Sequence, residues 1–418
     1  MAGPATYFDA SRAGELDEET RRLVERRDRA LGSAYRLFYE QPVQFVRGLG
    51  TKLWDADGNE YLDAYNNVPS VGHAHPWVVA AIASQAATLN THTRYLQEGI
   101  VDYAEQVLAT LPPELDTMMF TCTGSEANDL ALRLAKHVTG NTGVIVTSNA
   151  YHGVTTEIAA ISPSLGGIES LAPWVRVVDP LDLAASTAVA IADLAASGIR
   201  PAVFIIDTIL ASDGVLPSIT GLVDAVASVR AAGGLFVADE VQPGFGRLGS
   251  AFWGFERYEV VPDIVTVGKP MGNGHPIAAV MARRDIVEAF GREVRYFNTF
   301  GGNTVSIAAA QATLDVLLEE RLQQNALVIG SRLLQGFRSL GEERIMDVRG
   351  QGLFIGVQLR GGSDAAIALT NNLRQRRVLV AASGADNNTI KIRPPLPFDA
   401  ADSDRLLTEF AAALAQVG

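Results

Sequence analysis

Lys269 stands directly after an apolar run, in DIVTVGKPMGNG. Burial at such a place lowers the pKa of an amine and suits it to be a Schiff-base nucleophile. A second run, GGLFVADEVQ, ends in Asp239 and Glu240. Ligand groups in α/β folds sit at the carboxyl ends of strands, although a lone acid there is more often a solvated strand end. In TCTGSEANDLALRLAK, Gly124 and Ser125 open an amphipathic helix. The free N–H groups and positive dipole of its first turn would make an anion seat, and a plain Ser cap would read the same way. Tyr151, in NAYHGVTT, follows a strand and could stack on a flat ring or simply fill core. Its neighbour His152 has no second His at ligand spacing, so no metal site is expected.

A competing signal is GFGRLG, Gly244 to Gly249, with Asp263 further on. A dinucleotide fingerprint has this glycine spacing and an acid about 20 residues later. Its glycine loop must open a helix, and AFWGFERYEVVPDIV has no helical apolar period, so the match reads as accidental. The single cysteine, Cys122, excludes an intrachain disulfide and lacks a His or Asp context for a nucleophile. It reads as a small buried residue.

These groups need elements to position them. Residues 1–40 read as helical and charged, and QFVRGLGTKLWDADGNEYLDA as strand, turn, strand, with the turn at Asp55–Gly58. Trp77–Leu89, Ile100–Leu111, 125–139 and 219–232 are helix-like. Gly143–Thr147, Ala202–Asp207, Leu235–Asp239, Ile264–Gly268 and Ile277–Ala282 are short apolar runs. Most are continuous rather than alternating, as in strands covered on both faces. The alternation predicts a mostly parallel α/β sheet. A helix over 304–321, strands Leu353–Leu359 and Ile390–Arg393, and a final Ala/Leu helix suggest a separate α+β unit. The expected division is a large domain over 61–310 and a small one over 311–418, joined by the N-terminal segment 1–60.

The chain has 418 residues, 48% hydrophobic and 19% charged, enough for a large core. Its net charge of −13 argues against nucleic acid or an anionic membrane as partner. There is no basic segment or helix-turn-helix extension for a DNA-binding regulator. No apolar stretch approaches the roughly 20 residues of a membrane span. The acidic N-terminus does not read as a signal peptide, and a reducing, cytoplasmic location is expected.

Together the GSEAN segment, YHG, DEVQPGFGRLG, the strand ending in Lys269 and NTFGGN resemble, in order and spacing, the class III aminotransferase family over nearly the whole chain. The resemblance implies a fold type I enzyme using pyridoxal 5'-phosphate. It implies that Lys269 is the Schiff-base lysine and proton-transfer base, and that Asp239 pairs with the pyridinium nitrogen. Val241 and Tyr151 would flank the ring, Gln242 would reach its phenolic oxygen, and Gly124 and Ser125 would hold the phosphate. Thr299 would reach that phosphate from a neighbouring subunit, implying a homodimer or higher oligomer.

Segments such as YNNVPSVGHAHP, LNTHTRYL and VRGQGLFIGV are similar to those of ethanolamine-phosphate phospho-lyases. Hydroxylysine-phosphate phospho-lyases and, more loosely, alanine–glyoxylate aminotransferases are also similar. The family's carboxylate-binding arginine lies three residues before a Pro-Pro pair, where this chain has Lys391, with Arg393 two residues later. DTILAS stands where relatives have EPIQGE, so Asp207 and Ser212 replace acids. Loss of the planar fork at position 391 disfavours an amino-acid carboxylate and is compatible with phosphate. The expected substrate is therefore a small phosphorylated amine, with Asn66, Asn67 and Val68 lining its pocket and Arg36 and Arg94 available to its phosphate. The alternative is an aminotransferase acting on an ω-amine or amino acid.

Overall fold

A computed structural model describes residues 7–417. Residues 1–6 of the segment read as helical lie outside the described residues. The rest of that segment gives a 3-10 turn at Ala10–Glu15 and a helix at Glu18–Leu31, capped by the Asp17 carboxylate accepting from Thr20 N–H. Next comes an antiparallel meander of β1 (Phe45–Leu49), β2 (Lys52–Asp55) and β3 (Glu60–Asp63). One strand was expected before the Asp55–Gly58 turn, and there are two. Gly50, at φ 58°, takes the left-handed conformation that folds the first half into its own hairpin.

The central sheet has seven strands in the order β4-β10-β9-β8-β7-β5-β6. These are β4 (Thr117–Thr121), β5 (Gly143–Thr147), β6 (Val175–Val178), β7 (Pro201–Asp207), β8 (Leu235–Asp239), β9 (Ile264–Val267) and β10 (Ala278–Ala282). All the pairings are parallel except those of β10, which runs antiparallel to both β4 and β9. The continuous apolar runs have the expected consequence. Val203 and Ile205 enter one apolar cluster while Phe204 and Ile206 enter another, and Val237 parts from Phe236 and Ala238 in the same way. Both faces of the sheet are thus core.

The C-terminal part contributes β11 (Ile345–Gln351), β12 (Phe354–Leu359), β13 (Val378–Leu379), β14 (Ala381–Ser383) and β15 (Thr389–Ile392). A four-stranded sheet orders them β11-β12-β15-β14, while β13 pairs in parallel with β3. The two ends of the chain therefore share a sheet. The helix at Leu322–Ser339 packs against the β11–β12 hairpin so closely that a Cβ at Gly330 would lie 2.1 Å from the carbonyl oxygen of Gly352 in its turn. Backbone cannot yield as a side chain would. Gly330→Ala is expected to cost about 3 kcal/mol, read as a lower urea midpoint, with little change in the catalytic constants of the folded fraction.

The glycine loop opens no helix. Phe245, Gly246 and Gly249 have positive φ, and only a short 3-10 turn at Gly254–Arg257 follows. The buried Arg247 guanidinium donates to the carbonyls of Leu353 and Pro394, tying the loop to the C-terminal part. Asp263 accepts from Phe236 N–H and pairs with Arg230 and Arg283. Both parts of the apparent fingerprint have structural work of their own. Among the described residues no helix is long and apolar enough to cross a membrane.

Candidate active site

Strand register brings the reactive groups together. Asp207 ends β7 and pairs in register with Asp239 at the end of β8. Asp239 in turn pairs with Thr266 on β9, the strand that leads into Lys269. All three side chains line one cavity of about 320 Å³. Gly124, Ser125, Tyr151, Val241 and Gln242 line it too. The residues expected around a cofactor ring therefore converge, with the exception of Thr299.

Asp239 forms the floor. It is 5% exposed, and its Oδ2 accepts from Asn128 Nδ2 at 2.9 Å and lies 2.7 Å from His152 Nδ1. Its Oδ1 accepts from Val241 N–H at 3.1 Å. Asn128 also donates to the His152 carbonyl and accepts from Thr266 Oγ1 at 2.6 Å. This network fixes the carboxylate from three elements at once. His152 Nε2 is buried with no partner among the described residues. Nδ1 is then the donor to Asp239, since an N–H at Nε2 would be left unsatisfied. Neither Asn128 nor His152 was singled out as supporting Asp239. Asn128 could have been found, since it follows Ser125 by one helical turn on the inward face.

Glu240, the other half of the acidic pair, turns away. Its carboxylate accepts from Gly254 and Phe255 N–H at 2.7 and 2.9 Å and from Thr208 Oγ1 at 2.8 Å. Burial pushes its pKa up to about 7 against those bonds. Asp207 is raised to about 6 by burial and by the nearby Asp239, and it accepts from Ile209 and Ala211 N–H.

Lys269 is part-exposed, opening into this cavity and into a second one of about 340 Å³. Its pKa is lowered by burial and by Arg393, partly offset by Asp239 and Asp207. At the cavity mouth the Gly124–Thr139 helix begins. Its cap is Thr123 rather than Ser125, with Glu126 closing a capping box back to Thr123 and Cys122 N–H. Among the described residues no acceptor takes the N–H of Gly124 or Ser125, so the first turn keeps free donors. The absence of a side chain at 124 is required: a Cβ there would meet Val241 Cγ1 at 2.9 Å. Cys122 is not a buried core residue as expected but part of this cavity wall.

The second cavity shares Tyr151, Gln242 and Lys269 with the first and contains Lys391 and Arg393. Arg393 stacks on Tyr65, 4.5 Å from the ring centroid, and donates to Gln242 Oε1. Lys391, 8% exposed, has no ion-pair or hydrogen-bond partner among the described residues. Tyr7 and Phe38 form the outer wall, a contribution of the N-terminal segment with no legible motif.

Not every expected residue is here. Val68 lines the first cavity, and Asn67 approaches Gln242 at 3.4 Å. Asn66 instead bonds both oxygens of Asp63 and lines neither cavity. Arg36 lies exposed over Tyr7, 5.3 Å from its ring, and Arg94 lies over Phe297 at 3.8 Å. Neither arginine lines either of these two cavities. Thr299 is exposed, outside both.

A lysine and an acid at adjoining strand ends, facing a helix N-terminus across one cavity, define a pyridoxal-phosphate enzyme of fold type I. The chain belongs to the class III aminotransferase family, whose model matches residues 38–414. An alanine–glyoxylate aminotransferase 2-like protein of Drosophila melanogaster is 40% identical over 94% of this chain and 87% of its own. Ethanolamine-phosphate phospho-lyase homolog 1 of Caenorhabditis elegans is 37% identical over 94% and 92%. Among solved structures, a phospholyase from Arthrobacter in complex with phosphoethanolamine superposes with a TM-score of 0.91 at 40% identity. It covers 95% of this chain and 100% of that one. The cofactor is pyridoxal 5'-phosphate. The first cavity suits it, with a fixed carboxylate on the floor, free N–H donors at the mouth and a lysine in the wall.

Proposed function

We propose that this enzyme is a phospho-lyase that eliminates phosphate from ethanolamine phosphate, leaving an enamine that water hydrolyses to acetaldehyde and ammonia. The observation that carries the reading is Lys391, a buried cation without a partner, beside Arg393 in a cavity that opens from Lys269. A buried charge is costly unless a ligand compensates it, and a dianionic phosphate does so. The likeness to the Arthrobacter phospholyase agrees with this.

Lys269, Asp239, Val241, Tyr151, Gln242, Gly124 and Ser125 would hold the cofactor. Pyridoxal phosphate, when bound, supplies an electron sink for charge left at the carbon bearing the substrate nitrogen. Lys269 takes the proton from that carbon, its lowered pKa leaving more of the amine free to act as base. Asp239 holds its negative charge fixed toward the ring, kept in place by Asn128 and His152. Lys391 and Arg393 hold the phosphate so that its C–O bond is placed for cleavage. Thr299, from its exposed segment, would complete the site of a neighbouring copy, so the active unit is at least a dimer.

Ethanolamine phosphate is expected to exceed unphosphorylated ethanolamine in kcat/KM by about 10² or more, since a charge-assisted contact at each cation is lost without the phosphate. A kinetic comparison of the two checks this. Transfer from L-alanine to glyoxylate by the same preparation, with no preference for the phosphorylated amine, would point instead to an aminotransferase, as the name of the Drosophila relative would suggest.

A further inference from the structure

Elimination from a phosphate monoester raises a proton problem that binding alone does not solve. Near neutral pH the ester is a dianion, and breaking its C–O bond sends the electron pair to the bridging oxygen. Unprotonated, the departing group would be the trianion of phosphate, a strong base and poor leaving group. A donor placed at the phosphate removes this barrier.

We propose that Lys391 is this donor, giving its ammonium proton to the phosphate as the C–O bond breaks. The inference rests on the phospho-lyase reading above and deepens it. Lys269 takes a proton from the carbon bearing nitrogen, the C–H pair becomes the new C=C bond, and the C–O pair leaves with phosphate. Lys391 protonates a phosphate oxygen, phosphate departs as the dianion, and the neutral Lys391 amine takes a proton back from water.

The geometry supports this assignment. Lys391 lies on β15 between Gly356 of β12 and Ala381 of β14, neither of which offers it a side-chain partner. Its side chain is buried in the cavity wall and makes no bond that would hold its protons. Arg393, the first residue beyond this strand, donates to Gln242 and stacks on Tyr65, and a guanidinium can bind the phosphate without giving up a proton to it. The other charged groups around Lys391 are Asp207, Asp213 and Lys269, with Tyr7, Tyr65 and Tyr151 in the same wall. Burial, then Arg393, lower its pKa to about 7, which makes it a far better proton donor than an ordinary lysine.

The test compares wild type with Lys391→Arg, which keeps the charge but cannot donate, on ethanolamine phosphate and ethanolamine O-sulfate. Sulfate is a weak base and leaves without a proton. The kcat ratio, phosphate over sulfate, is expected to fall by about 10² in the variant. An unchanged ratio overturns the proposal, because Lys391 would then only bind. The wild-type pH profile decides the matter even if the variant fails to fold or the sulfate ester proves inert. A donor must be protonated, so kcat should fall as pH rises between about 7 and about 9, the bound dianion raising the pKa from about 7 in the free enzyme. A wild-type kcat that stays flat from about pH 6 to about pH 9 contradicts it. If wild type releases no phosphate from ethanolamine phosphate at all, the phospho-lyase reading itself has failed.

Discussion

Lys269→Ala is expected to lower kcat by on the order of 10⁴-fold, because the variant loses the one amine, among the described residues, that lines both cavities and can serve as a proton-transfer base. The loss should come from chemistry and not from folding. In the folded chain Lys269 is part-exposed only to the cavities, and its loss of bulk water and the nearby Arg393 both lower its pKa. A lysine whose pKa is depressed on folding costs stability at neutral pH, where the unfolded chain holds it fully protonated. Removing it should therefore leave the thermal midpoint unchanged or slightly higher. Steady-state kinetics and a melting curve on the same preparation check both halves. A further readout is borohydride treatment, which should fix the cofactor to wild type but not to the variant. Activity within tenfold of wild type would remove Lys269 from the mechanism.

Asp239→Asn should cost about 10² to 10³ in kcat and weaken cofactor retention. The substitution preserves shape and removes the charge. Asp239 Oδ2 accepts from both Asn128 and His152 and Oδ1 accepts from Val241 N–H, so an amide placed there must turn its N–H₂ either toward that pair of donors or toward Val241. The expected stability loss is about 1–3 kcal/mol, that of an unsatisfied buried group. The neighbouring acid supplies the control. Glu240→Gln should cost comparable stability, through Gly254, Phe255 and Thr208, while changing the kcat of the folded enzyme by no more than about threefold. A matched fall in kcat for both variants would mean that the two acids are not divided as their contacts indicate.

That division between Asp239 and Glu240 shows what could be read from the sequence and what could not. Both acids ended the same apolar run, and adjacent residues of an extended segment point to opposite sides, but which acid meets the cavity and which the Gly254–Arg257 turn depends on partners distant in sequence. Strands β5, β7, β8 and β9 were legible because each is a short, continuous and mostly apolar run. β4, TMMFT, and β6, VRVV, were missed. They are short, sit at the two sheet edges and keep part-exposed residues, so their signal comes mainly from partners distant in sequence. Nor could sequence show that β10 runs antiparallel, since strand direction leaves no mark on composition. β11 escaped notice beside the better-buried β12.

The cofactor cavity was legible through its motifs, apart from Thr299, which lies outside it, and the Asn128 and His152 support of Asp239. The substrate side was less so. Lys391 and Arg393 stood out by their offset from the Pro-Pro pair and do meet in one cavity, while Asn66, Arg36 and Arg94 found other partners. Side-chain direction decides such cases, and Asp63 claims Asn66 through three hydrogen bonds, two of them to the Asn66 side chain. Tyr7 and Phe38 join the wall only because Phe8 N–H bonds the Leu37 carbonyl, a pairing that neither segment announces.

The most direct measurement is the release of phosphate and acetaldehyde from ethanolamine phosphate by the purified, cofactor-loaded enzyme with no keto acid present. A phospho-lyase yields the two products in equal amounts through many turnovers, because its cofactor is restored in every cycle. A single turnover without phosphate, with activity resuming only when pyruvate or glyoxylate is added, would contradict that and make the enzyme an aminotransferase.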